Sequence, residues 1–80
     1  MMNINEKVKI ILENISEIEI KQNIDNIFLR EELQLSSLDM LWIIVDIEKE
    51  FKITIEEDEV YSIFTGKDLI ECIKNKLSQV

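Results

Sequence analysis

The sequence predicts an all-α fold, a small bundle of three longer helices and one short helix. Three observations predict it. Apolar residues recur at spacings of three and four in separate stretches. Asn, Ser or Thr stands at a helix-capping position before each of those stretches. The one alternating run, Phe51 to Ile55, has no run of matching length to pair with in a sheet. Eighty residues make one domain, residues 1–80, near the size at which a chain still folds alone.

The first helix is signalled by Asn3 and Glu6 at capping-box spacing, with Ile4, Val8, Ile11, Leu12 and Ile15 on one face, and should run to about Ser16. Ile18 and Ile20 alternate with Glu19, which fits an extended exit. From there to Leu35 no period is sustained, so a long first loop follows. Ile24, Ile27, Phe28 and Leu33 are its expected anchors in the core, and Asn23, Asp25 and Asn26 favour turns.

Ser36 and Ser37 precede the strongest helical stretch, Leu38 to Phe51. Met40, Ile43, Ile44, Ile47 and Phe51 form one apolar stripe, the expected core face. Leu38, Leu41, Trp42 and Val45 form a second on roughly the opposite side. So short a chain can hardly bury both, which makes the second stripe a candidate partner surface. Thr54 and Glu57 then repeat the capping-box spacing before a short helix with Val60, Ile63 and Phe64 on its apolar face. Thr65 and Asp68 mark the last helix, whose inner face would carry Leu69, Ile70, Ile73 and Leu77, with Lys74 and Lys76 suiting its C-terminal end. The chain shows no internal repeat, linker or low-complexity segment.

Composition excludes several function classes. With no histidine and the single cysteine Cys72, histidine-dependent catalysis, zinc sites and disulfide frameworks are out of reach. A net charge of −8 argues against nucleic acid and for basic protein surfaces as partners. No apolar run has membrane-spanning length, and the N-terminus lacks the pattern of a signal peptide, so a reduced cytoplasmic setting without membrane association is expected. Abundant isoleucine, with no alanine or proline, resembles the usage of an AT-rich bacterial genome.

A serine opening a helix has a further use, because the free N–H groups and partial positive charge there suit a phosphate. The run Glu32-Leu33-Gln34-Leu35-Ser36-Ser37-Leu38-Asp39 resembles the attachment signature of the acyl and peptidyl carrier proteins, a serine followed by leucine at the start of the second helix. The likeness continues through Glu48-Lys49-Glu50-Phe51, Ile53, Ile55, Thr65 and Asp68-Leu69-Ile70, and so covers nearly the whole chain. It implies a four-helix bundle of the carrier-protein type with a long first loop. It implies that Ser37 carries 4′-phosphopantetheine, transferred from coenzyme A by a phosphopantetheinyl transferase. The thiol of that arm would hold acyl or aminoacyl groups as thioesters. The implied partners are adenylating, acylating and acyl-transferring enzymes, and the chain itself would be a monomer without enzymatic activity. The sequence departs from the family pattern in three places. Ser36 replaces the usual aspartate, Gln34 or Leu35 a usual glycine, and Trp42 an often acidic residue. These departures favour a specialised pathway of the peptide or polyketide type over fatty-acid synthesis.

Each site residue has a plainer reading beside it. The serine pair can simply cap a helix; if one caps and the other carries the arm, Ser37 is the carrier because Leu38 follows it, with Ser36 second in line. The stripe of Leu38, Leu41, Trp42 and Val45 can be covered by Phe28 or Leu29, although a Trp there should stay partly open. Acidic residues are solvated by default; Asp39 and Glu48, on the attachment helix, are singled out as partner contacts. Asp58 and Glu59 lack the loop pattern of a calcium site. Cys72 reads as a structural thiol and Gly66 as a turn or hinge residue. The competing function is an unmodified helical adaptor that binds a protein through the Leu38/Trp42 face.

Overall fold

In the computed structural model, which describes residues 2–79, helix α1 spans Ile4–Ser16, α2 Leu29–Glu32, α3 Ser37–Phe51, α4 Glu57–Val60 and α5 Gly66–Ser78. Asn3 caps α1, its side chain accepting the Glu6 N–H at 2.8 Å. Ser36 and Asp39 close a reciprocal capping box on α3, and Thr65 and Asp68 do the same on α5. Val8 and Leu12 of α1, Ile43 and Ile47 of α3, and Leu69 and Ile73 of α5 are fully buried together. Each such side chain contributes about 1.5–3 kcal/mol by leaving water. Among the described residues no polar side chain is buried, and the fold is wholly helical apart from one isolated antiparallel bridge between Phe28 and Thr65.

The long first loop has structure of its own. A 3₁₀ turn at Ile24–Asn26, capped by Asn23, precedes the one-turn α2. Ile24, Ile27 and Leu33 are buried as expected, but Phe28 is 52% exposed and Leu29 takes the core position in its place. The bridge explains the exchange. The Leu29 N–H donates to the Phe64 carbonyl at 2.9 Å and the Gly66 N–H to the Ile27 carbonyl at 3.0 Å, which turns Leu29 inward and Phe28 outward.

Gly66 is the first residue of α5 and is buried, so it is neither turn nor hinge. A Cβ there would lie 1.8 Å from the Ile24 carbonyl oxygen; glycine is what lets the loop backbone reach the start of α5. Two further expectations are corrected. Glu56, not Thr54, opens the short helix, its N–H donating to the Glu59 carboxylate at 2.9 Å. Phe64 is 62% exposed, because the chain turns at Tyr61 and Ser62 after α4 and leaves Ile63 alone as the buried anchor.

Helices α1 and α3 end alike. Glu17 and Lys52 each adopt left-handed backbone with φ near 60°. The chain then doubles back so that the carboxylate of Glu13 accepts the Ile20 N–H, and that of Glu48 the Ile55 N–H, both at 2.8 Å. The shared pattern is Glu, then Ile five and seven residues later, a local repetition too short to register as an internal repeat. Carboxylates tie other turns too: Glu32 accepts from Phe28 N–H, and Asp68 from Phe64 and Thr65 N–H.

Candidate functional site

The site is built where α2 meets the start of α3. Ser36 has extended backbone and supplies the cap, its Oγ accepting the Asp39 N–H at 3.1 Å while Asp39 accepts the Ser36 N–H at 3.0 Å. Ser37 is therefore the first helical residue, exposed, with a hydroxyl that the cap does not use. That hydroxyl accepts a hydrogen bond from the Arg30 Nη2 at 2.7 Å.

Leu29 and Leu33, buried on either side of Arg30, fix α2 against the core. The Leu35 N–H donates to the Arg30 carbonyl at 3.0 Å, and Gln34 between them takes a φ of 54°. This is the left-handed conformation that glycine adopts at least cost, so the turn into α3 keeps its shape without its usual residue.

The core face of α3 is as expected: Met40, Ile43, Ile44 and Ile47 are buried and Phe51 is half-buried. On the other side Leu38, Leu41 and Trp42 are 61%, 57% and 56% exposed, and Val45 is half-buried. The first loop does not cover them, since Leu29 is in the core and Phe28 is itself exposed. The two acidic residues expected to meet partners are already engaged, Asp39 in the cap and Glu48 at the α3 exit.

The remaining reactive groups offer no competing centre. Burial pushes the Cys72 thiol up, and the nearby Glu59 charge adds to it, so thiolate is disfavoured. Glu59 is held below the usual carboxylate range by Lys76, whose ammonium lies 2.8 Å away. Among the described residues no cluster of Cys, Asp or Glu is arranged to hold a metal ion, and no helix is long and apolar enough to cross a membrane.

Arg30 went unseen in the sequence because it lies in a stretch without period. The one signal that could have found it is that it is the chain's only arginine. Its guanidinium and the α3 N-terminus face a hydroxyl that solvent reaches, and this donor set fits a phosphate ester on Ser37.

Over 76 residues the chain is 32% identical to the acyl carrier protein of Buchnera aphidicola subsp. Schizaphis graminum, a match spanning 95% of this chain and 96% of that protein. A crystal structure of an acyl carrier protein from Thermotoga maritima aligns with a TM-score of 0.80 at 26% identity, covering 92% of this chain and 86% of that one. No family profile matches the chain.

Proposed function

Because the chain belongs to the acyl carrier protein family, whose members are carriers and not enzymes, we propose that it holds its cargo on a 4′-phosphopantetheine arm attached to Ser37. The observation that carries this reading is the division of labour between the two serines. Ser36 caps α3, and Ser37 presents at the helix start an exposed hydroxyl that the cap does not use.

A phosphopantetheinyl transferase brings coenzyme A to this hydroxyl. Ser37 Oγ attacks the pantetheine-side phosphorus of the pyrophosphate, an O–P bond forms, and the bond to the adenosine bisphosphate breaks. The serine proton passes to a base of the transferase. The arm supplies the thiol on which an acyl or aminoacyl group rides as a thioester. The protein's own residues supply position: α3 holds the attachment point in a helix-terminal field that favours the phosphodiester. Leu38, Leu41, Trp42 and Val45 offer an apolar face to the enzymes that load and unload the arm. A net charge of −8 steers basic partners towards it.

The pathway we favour is a specialised one of the peptide or polyketide type. Ser36 in place of aspartate fits the looser attachment signatures of such carriers, and the exposed Trp42 in place of an acidic residue suits a partner with an apolar socket.

Intact mass after incubation with coenzyme A and a broad-specificity transferase tests the reading. One phosphopantetheine on Ser37, located by fragmentation and absent from Ser37→Ala, is the expected result. A folded protein that gains no mass would overturn it and leave an unmodified adaptor acting through Trp42.

A further inference from the structure

Arg30 stands out in a chain this acidic. It is the only arginine, and its guanidinium forms none of the ion pairs found among the described residues, all of which use lysine. It is directed instead at Ser37 Oγ, 2.7 Å away. Its backbone is also fixed. Leu29 and Leu33 anchor the turn on either side, and the Leu35 N–H binds the Arg30 carbonyl just before the cap of α3.

Attachment of an arm changes what this guanidinium meets. Ser37 Oγ becomes the bridging oxygen of a phosphodiester and a poorer acceptor, while two non-bridging oxygens carrying one negative charge appear next to it. A guanidinium presents parallel N–H groups that match two such oxygens, and a pair with an anionic acceptor is stronger than the bond to an uncharged hydroxyl that it replaces. The Asp39 N–H is taken by Ser36 Oγ and the Met40 N–H by the Ser36 carbonyl, so the start of α3 adds its dipole to the same charge.

Resting on the reading of Ser37 as the attachment site, we propose that Arg30 is the positioning residue of the arm. Its guanidinium moves from Ser37 Oγ to the non-bridging phosphate oxygens and holds the phosphodiester between α2 and the α3 N-terminus. The partner it recognises is a phosphodiester monoanion; the acyl cargo is not involved.

The sole arginine gives a single Nε–Hε resonance, which makes the test direct. The wild-type protein is labelled with ¹⁵N, and its mass and spectrum are recorded before and after the arm is attached. The Nε–Hε signal should shift and its exchange with water should slow on attachment. The ³¹P signal of the arm in Arg30→Ala should move away from its wild-type position, and in Arg30→Lys should lie between the two. The melting temperature of unmodified Arg30→Ala should match that of the unmodified wild type, which a structural role for Arg30 would not allow. A mass gain on Ser37 with an unchanged Nε–Hε signal would overturn the Arg30 assignment and leave the carrier reading standing. A folded protein with no mass gain would overturn both.

Discussion

Replacing Gly66 with alanine sets local preference against tertiary packing, and the two predict opposite signs. Alanine favours a helix over glycine by up to about 1 kcal/mol, so α5 alone would be stabilised. The added methyl, however, would meet the Ile24 carbonyl oxygen at 1.8 Å and its carbon at 2.6 Å. An ordinary C···O contact is about 3.3 Å, so loop and helix must part by roughly 1.5 Å. Both colliding atoms are backbone, and no rotamer change relieves them. Overpacking on this scale costs about 3 kcal/mol, and stretching the Gly66 N–H bond to the Ile27 carbonyl adds about 1 kcal/mol. The net expectation is a loss of about 3 kcal/mol from a domain whose whole stability is roughly 4–12 kcal/mol. Equilibrium urea unfolding followed by circular dichroism reads this directly. With a slope of about 1 kcal/mol per molar urea, the midpoint should fall by about 3 M. A midpoint that stays or rises would refute the reasoning, since it would mean that helix preference outweighs the contact between the loop and α5.

Two further changes follow from the turns. Gln34→Gly relieves a left-handed residue at a cost in unfolded-state entropy, so a net gain of about 0.5 kcal/mol is expected, raising the melting temperature by about 2–4 °C; an unchanged or lower value would count against strain at that turn. Asp68 is held below the ordinary aspartate range, first by the Phe64 N–H and then by the Thr65 backbone and hydroxyl. A lowered pKa contributes stability that is present above the ordinary aspartate pKa and is lost as pH falls through the folded value. Asp68→Asn should therefore lower stability at neutral pH and flatten its decline below about pH 4. Urea midpoints measured across that range check this, and equal acid slopes in the two proteins would contradict it.

The helix starts at Asn3, Ser36 and Thr65 were legible because each is a small polar residue followed three places on by an acid and then by apolar residues in helical period. The two faces of α3 were legible for the same reason, and the exposure of Trp42 followed from the small size of the domain. The helix α2 was not legible, since four residues are too few to show a period. Thr54 misled because two overlapping pairs, Thr54 with Glu57 and Glu56 with Glu59, have the same spacing, and only the Glu48 carboxylate holding Ile55 in the α3 exit decides between them. Phe28 and Leu29 are adjacent and similarly apolar; which one turns inward depends on a backbone bridge to Thr65, a partner far along the chain. The role of Gly66 was hidden likewise, because the residue it makes room for lies in another element.

The carboxylates that hold backbone N–H groups, those of Glu13, Glu32, Asp39, Glu48, Glu59 and Asp68, divide the acidity of the chain into two classes. Substitution at these positions disturbs a turn whatever the partner. Glu31 and Asp58 are exposed and take no part in those ties, so the sequence can change there without touching a corner of the fold. For the same reason, a charge-reversal scan for the docking surface would lower stability as well as any binding at the tied positions, and would read recognition by itself only at the free ones.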